Sequence, residues 1–375
     1  MKVCIDGQPL LGPLTGIGRY TAELLKVLNT YEDLTISVGL NQILKQRELN
    51  SPVPSTCSIY NSRYPYKVIR RLMKPNFLYK FRYDEFINDP FDVYHGTNYT
   101  HIPIKKQRYV VNIHDLAFMK YPETTSSKIY NHHMKWVPYS AVSANHIIAL
   151  SESAKADIVS LLNINPEKIT VIPLAADARF KPLKNQVVRP ILQKYNMPDQ
   201  YILCVGTIEA RKNLITVVKA YHQLTSKYLL DHKLVIVGTK GWKTSSLYEY
   251  IERHKLQSCI HFAGYVDDED LPAIYNGATM LTMPSLYEGF GLPLVEAMQC
   301  GVPVIGSNVS SIPEVIGDGG ILCSPHEPED WADQILNVLH EDSNYLDRKQ
   351  LALSRSSTFS WKLTADKTYN IYTSV

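Results

Sequence analysis

Short, nearly continuous apolar stretches alternate with longer stretches of helical spacing along the whole chain. Tyr201 to Val205 and Lys233 to Val237 are typical of the first kind, which suits strands buried on both faces of a parallel sheet. In the first half the pattern predicts strands at Lys2 to Asp6, Leu34 to Leu40, Asp92 to His95, Tyr109 to Ile113, His146 to Leu150 and Ile169 to Ile172. In the second half it predicts Tyr201 to Val205, Lys233 to Val237, Ile260 to Phe262, Ala278 to Met283 and Val302 to Gly306. Between strands come amphipathic helices, one with its apolar face at Ile17, Tyr20, Leu24, Val27 and Leu28. This alternation predicts an α/β fold with two doubly wound sheets.

Little periodicity is left over 179–198, which carries Pro182, Pro190 and Pro198 and reads as a linker. It separates an N-terminal domain, 1–178, from a C-terminal one, 199–355. The two domains are expected to face each other across a cleft, with ligands beyond the carboxyl ends of the strands. A last helical pattern at Trp361, Ala365, Tyr369 and Tyr372 lies past the second domain.

At 375 residues the chain is too long for one comfortable core, which agrees with two domains. Its 39 basic and 36 acidic residues leave a net charge of only +3, and no nucleic-acid partner is expected. The chain opens directly into a strand without an apolar leader, and no apolar run of about 18 residues occurs. A cytoplasmic protein is expected. Six scattered cysteines show no paired metal spacing and suit reduced core thiols.

Chemistry concentrates in Glu288-Gly289-Phe290-Gly291-Leu292-Pro293-Leu294-Val295-Glu296. Pro293 suits the start of a short helix, and the glycines leave the backbone bare, so the amides of Phe290 to Leu294 are expected to face an anion. Glu288 before the helix and Glu296 one turn inside it place two carboxylates about that terminus, fit for the hydroxyls of a phosphate-bearing ligand. A hydrolytic acid pair is the alternative. Arg211 and Lys212 follow a predicted strand and precede a helix, where two cations can neutralise a departing diphosphate. Gly16 and Gly18 form an incomplete glycine fingerprint, Thr21 standing where a third glycine belongs.

His114, with Asp115, ends an apolar strand at the edge expected to open into the cleft. His95 and Tyr99 in Tyr94-His95-Gly96-Thr97-Asn98-Tyr99, together with Asp115, are candidates for the acceptor side, whereas His132 and His133 sit in a predicted helix and suggest nothing special. Asp268-Glu269-Asp270 has the spacing of a metal-binding Asp-x-Asp, but acids at a helix start are ordinary, and no metal is expected. Gly238, with Tyr265 after Gly264, is placed beside a nucleotide base. From Asn61 to Tyr83 there are seven basic residues, six aromatics and no acid. Val68, Ile69, Leu72 and Met73 share one helical face there and Lys67, Arg70, Arg71 and Lys74 another, which fits an anionic membrane surface or a lipid-linked acceptor, with a solvated helix or an RNA-binding patch as the alternatives.

Taken in order, Thr15-Gly16-Ile17-Gly18-Arg19-Tyr20, Asn112-Ile113-His114-Asp115, Gly206-Thr207-Ile208-Glu209-Ala210-Arg211-Lys212-Asn213, the two-glutamate segment and Ser311-Ile312-Pro313-Glu314-Val315 resemble the retaining glycosyltransferases of family 4. The resemblance covers nearly the whole chain. It implies a GT-B fold of two Rossmann-like domains, with 356–375 crossing back to the first. It implies a nucleotide-sugar donor as substrate and no cofactor. By the same likeness Glu288 binds the hydroxyls of the donor sugar and Glu296 those of the ribose, while Phe290, Gly291 and Leu292 hold sugar and phosphate. Gly16 and Gly18 let their loop close on the phosphate, and His114 reaches the sugar near the reacting centre. Lys212 holds the family lysine position, but Thr207 stands where an arginine is usual, so Arg211 is assigned the second charge. The Gly-Thr-x-Glu-x-Arg-Lys-Asn variant resembles mannosyltransferases of bacterial surface-polysaccharide assembly. Mannose transfer from GDP-mannose to a hydroxyl of a growing, lipid-linked glycan is therefore expected, at the inner face of the cell membrane. An epimerase or phosphorylase on the same fold, or a non-catalytic nucleotide-sugar or glycan binder, are the alternatives.

Overall fold

The computed structural model describes residues 1–12, 15–42, 48–49, 51, 53–62, 91–100, 108–340 and 342–375. The chain divides into two compact units, one of Met1–Leu174 with Trp361–Val375 and one of Ala175–Ser360.

The first unit is built on β1 (Lys2–Asp6), β2 (Thr35–Asn41), β3 (Ser58–Ser62), β4 (Val93–Gly96), β5 (Arg108–Ile113), β6 (His146–Ala149) and β7 (Ile169–Val171). They form a seven-stranded sheet in the order β3-β2-β1-β4-β5-β6-β7, and every pairing is parallel. Val3, Cys4, Ile5, Val93, Tyr94 and Val110 are fully buried, because helices cover both faces of the central strands. The second unit holds β8 (Tyr201–Val205), β9 (Lys233–Val237), β10 (Ile260–Gly264), β11 (Met280–Met283), β12 (Val304–Ser307) and β13 (Ile321–Cys323). They form a six-stranded parallel sheet in the order β10-β9-β8-β11-β12-β13. In both sheets the order reverses beside the first strand, β1 or β8, the point at which doubly wound sheets open a ligand crevice.

β3 and β13 are absent from the predicted set, and both are sheet edges, as are β7 and β10, which were predicted. Ser58-Ile59-Tyr60-Asn61-Ser62 leaves Ile59 47% exposed, and Ile321–Cys323 is only three residues long, so neither needs an unbroken apolar run. The expected linker is also corrected. Asn185–Lys194 form a helix, Pro190 included, whose Val188 is buried and whose Lys194 pairs with Asp267 at 2.9 Å and Asp270 at 2.6 Å. Proline spacing suggested irregular chain; a proline costs a helix one hydrogen bond, which packing on the second unit outweighs here.

The final helix, Trp361–Ser374, returns to the first unit. Thr364 donates to the Pro173 carbonyl at 2.8 Å, and Tyr369 stacks on Tyr31, three residues past the helix Gly16–Leu28, at 5.1 Å. Asn61 and Ser62 close β3, but the rest of the basic segment 61–83 lies outside the described residues.

Candidate functional site

β11 ends at Met283, and the chain then runs as a loop to Gly291 before the helix Leu292–Gln299. Serines at and just past the end of β12 sew this loop down. Ser307 Oγ donates to the Ser285 carbonyl at 2.7 Å, Ser310 Oγ accepts from the Glu288 amide at 2.9 Å, and Ser311 Oγ lies 2.9 Å from the Glu288 carbonyl and 2.8 Å from that of Phe290. The Phe290 ring packs edge-on against Phe359 at 5.7 Å. The loop is thus fixed before any ligand arrives, which is what a preorganised site needs.

From the end of β8 come Gly206 to Asn213. The Arg211 guanidinium donates to Glu209 Oε1 and to the Tyr287 carbonyl, both at 2.6 Å, and lies 3.1 Å from Glu288 Oε2. Lys212 Nζ donates to Glu288 Oε1 at 2.7 Å. Glu288 therefore has a cation on each carboxylate oxygen while only 8% exposed. Burial pushes its carboxyl up, but the Arg211 and Lys212 charges together outweigh burial and hold it at about 2. Its ordinary value is 4.5, so the stability contributed by these pairs is fully present above pH 4.5 and is lost as pH falls towards 2. Glu288 is thus an ionised acceptor throughout the neutral range. It cannot serve as the proton-donating member of a hydrolytic pair.

The helix start corrects one expectation. Pro293 has no N–H, and the Leu294 amide is spent on the Gly291 carbonyl at 2.9 Å. Of the four amide groups in Phe290 to Leu294 only those of Phe290, Gly291 and Leu292 are open, since among the described residues no group accepts from them. Gly291, at φ +107°, turns the chain into the helix in a conformation that side chains avoid. One turn inside, Glu296 is 3% exposed, and its Oε2 accepts from the Tyr275 hydroxyl at 2.7 Å.

Gly206, Gly238 and Gly264 stand at or just past the ends of β8, β9 and β10, all with positive φ. A methyl group on Gly238 would meet the Gly206 carbonyl oxygen at 2.0 Å, so the end of β9 approaches that of β8 this closely only with a glycine at 238. The Lys212 side chain lies over Gly206, 3.5 Å from where its Cβ would be. Gly206, Thr207, Lys212, Thr282, Met283 and Ser285 line a recess there. Tyr265, next to Gly264, is 63% exposed.

In the first unit, Thr15 caps the helix Gly16–Leu28, its Oγ1 accepting from the Gly18 amide at 3.4 Å. Gly16 opens on empty space. His114 lies past the end of β5, 6% exposed; its Nε2 donates to the Thr97 carbonyl at 2.7 Å, and burial pushes its pKa down. Tyr99 stands edge-on to His114 at 5.2 Å with φ +57°, a strained backbone for an aromatic residue. Asp115 Oδ1 accepts from the Ala117 amide at 3.0 Å and so fixes the turn after His114. His95 is a correction: it is fully buried, with both ring nitrogens taken by Tyr372 and Asn112, and cannot line an open acceptor surface. His133 lies 4.8 Å from the Tyr99 ring. Among the described residues no three His, Cys, Asp or Glu side chains gather as a metal site. Asp270, in the Asp-x-Asp, is occupied by Lys194 and Tyr195.

Residues 15–180 match the family model described as Glycosyltransferase Family 4, and 190–353 match Glycosyl transferases group 1. O-antigen chain mannosyltransferase B of Escherichia coli is 33% identical over 384 residues, covering 99% of both chains. The chain belongs to the family 4 glycosyltransferases. The serotype-specific mannosyltransferase WbdA of E. coli is 32% identical over 226 residues, which is 59% of this glycosyltransferase and 28% of WbdA. Sucrose-phosphate synthase of Thermosynechococcus elongatus has the same GT-B fold, with a TM-score of 0.78 at 19% identity over 100% of this chain and 98% of its own.

Within the glycosyltransferase, Arg211, Lys212 and Glu288 come together as one cluster. Gly16, Gly18, His114, Tyr99 and Asp115 belong to the other unit. Glu209 and Ser310 support this cluster, and Tyr275 supports Glu296, without having been singled out. A signal existed for Glu209, two residues before Arg211, but Tyr275 and Ser310 meet their partners only through the fold.

Proposed function

We propose that this glycosyltransferase is a retaining mannosyltransferase that moves mannose from GDP-mannose to a hydroxyl of a growing, lipid-linked surface polysaccharide. The observation that carries the reading is the Arg211–Glu288–Lys212 cluster beside three open amides at a helix start, in a chain aligned end to end with an O-antigen chain mannosyltransferase. The open amides of Phe290, Gly291 and Leu292 suit a phosphate oxygen, and the ionised Glu288 suits a sugar hydroxyl. Glu296 is assigned the ribose hydroxyls, His114 a hydroxyl of the donor sugar, and Gly238 with Tyr265 the base.

In the proposed reaction the bond from the anomeric carbon to the diphosphate breaks as charge grows on the leaving oxygen, and Lys212 and Arg211 neutralise it. The acceptor hydroxyl attacks the same face, its oxygen bonds to the anomeric carbon, and its proton passes to the departing phosphate. Glu288, held ionised between two cations, orients the sugar and is not the nucleophile.

Two fixed cations and a helix start supply the positive charge that a divalent ion supplies elsewhere. Transfer of radiolabelled mannose is therefore expected to continue at the full rate in excess chelator. Abolition by chelator with rescue by magnesium or manganese would refute the reading. Segment 61–83 is proposed to hold the enzyme at an anionic membrane surface, with about 1 kcal/mol from each basic residue near the bilayer. Replacing Lys67, Arg70, Arg71 and Lys74 by glutamine should abolish cosedimentation with anionic vesicles; undiminished cosedimentation contradicts it. Among the described residues no helix is long and apolar enough to cross a membrane.

A further inference from the structure

Behind His114 in the first unit runs a buried line of polar side chains that the proposed chemistry does not touch. Tyr372, His95, Asn112 and Tyr20 are each no more than 2% exposed. Tyr372 belongs to the final helix, His95 to β4, Asn112 to β5 and Tyr20 to the helix of the glycine motif. His95 Nδ1 lies 2.6 Å from the Tyr372 hydroxyl, and Nε2 lies 2.5 Å from Asn112 Oδ1, which also accepts from the Tyr20 hydroxyl at 3.1 Å.

With the Asn112 amide oxygen turned towards His95, one proton arrangement follows. An amide oxygen only accepts, so His95 Nε2 donates to it, and Nδ1 must accept from Tyr372. Burial pushes the His95 pKa down to about 4, which keeps this neutral tautomer across the neutral range. Each side chain is thereby held in one orientation by its neighbour, in a low-dielectric interior where a broken link is costly.

The line ends on the imidazole assigned to the donor sugar. The Tyr20 ring stands at 83° to His114, with centroids 5.7 Å apart, and Tyr99 closes from another direction at 5.2 Å. Thr97 accepts from His114 Nε2, which leaves Nδ1 as the acceptor nitrogen. Trp361, at the start of the final helix, lies 6.1 Å from the Tyr20 ring. The final helix thus reaches Tyr20 twice, directly through Trp361 and through the hydrogen-bonded line from Tyr372.

We infer that Tyr20 is a positioning residue for His114, and that the final helix sets its orientation through Tyr372, His95 and Asn112. Apolar packing alone would hold these elements together, but it would not fix the rotation of the Tyr20 ring against the imidazole. The inference rests on the reading of His114 as a contact to the donor sugar.

Tyr372→Phe and Tyr20→Phe each keep a ring and delete one hydroxyl of the line. Each is expected to lower kcat about tenfold, the effect of one hydrogen bond on a transition state, with the donor KM unchanged. In a His114→Ala background, followed on its residual rate, neither substitution should lower kcat further, because the group they position is gone. Full kcat in either single variant would overturn the inference, as would the same tenfold loss in both backgrounds, which marks a structural role only. Full kcat in His114→Ala alone would instead overturn the reading of His114, and the inference with it. A nitrogen-15 spectrum showing His95 protonated on Nδ1 would contradict the proton arrangement.

Discussion

Lys212→Ala is expected to lower kcat about a hundredfold while changing the donor KM far less. The ammonium meets charge that grows as the diphosphate departs, so its loss falls on the transition state. The loss is not repaired from within the cluster. Arg211 already donates to Glu209 and to the Tyr287 carbonyl, and it cannot swing to the position over Gly206 that Lys212 occupies without abandoning both. Glu288 would keep one cation of its two, and its carboxyl would rise from about 2 yet stay ionised at neutral pH. Steady-state kinetics of the folded variant decide the matter. An effect confined to KM would show that Lys212 serves ground-state binding alone.

Glu296→Ala is expected to weaken binding of the donor by roughly 1.5 to 3 kcal/mol, the usual worth of hydrogen bonds to a charged acceptor. The buried Tyr275 hydroxyl loses its acceptor in the same step. Tyr275→Phe separates the two effects: it removes the partner but keeps the carboxylate, and should weaken binding by less. Calorimetric titration of both variants with the donor provides the test. Unchanged affinity in folded Glu296→Ala would remove the ribose assignment.

Much of this was legible in the chain, for physical reasons. Central strands of parallel sheets are buried on both faces, so Tyr201–Val205 and Lys233–Val237 announce themselves by continuous apolar composition. Edge strands need no such run: Ile169–Val171 and Ile260–Gly264 were still predicted, while Ser58–Ser62 and Ile321–Cys323 went unseen. The helix Asn185–Lys194 was hidden by Pro190, which composition counts as a breaker but packing tolerates. In the site, Glu288, Arg211 and Lys212 could be named because two short segments carry them, each between a strand and a helix. Their pairing joins residues 76 positions apart and belongs to the fold. His95 shows the converse. A histidine at a strand end looks like a ligand group in sequence, and only its fully buried position between Tyr372 and Asn112 reveals a structural one.

The most direct measurement is of the glycosidic bond itself. Purified enzyme is offered a panel of GDP- and UDP-sugars with a lipid-linked oligosaccharide acceptor, and the product is analysed by mass spectrometry and by the anomeric proton coupling. Mannose transferred from GDP-mannose alone, with the anomeric configuration of the donor kept, is the expected result. Transfer from a UDP-sugar in its place, or a product of inverted configuration, would contradict the account.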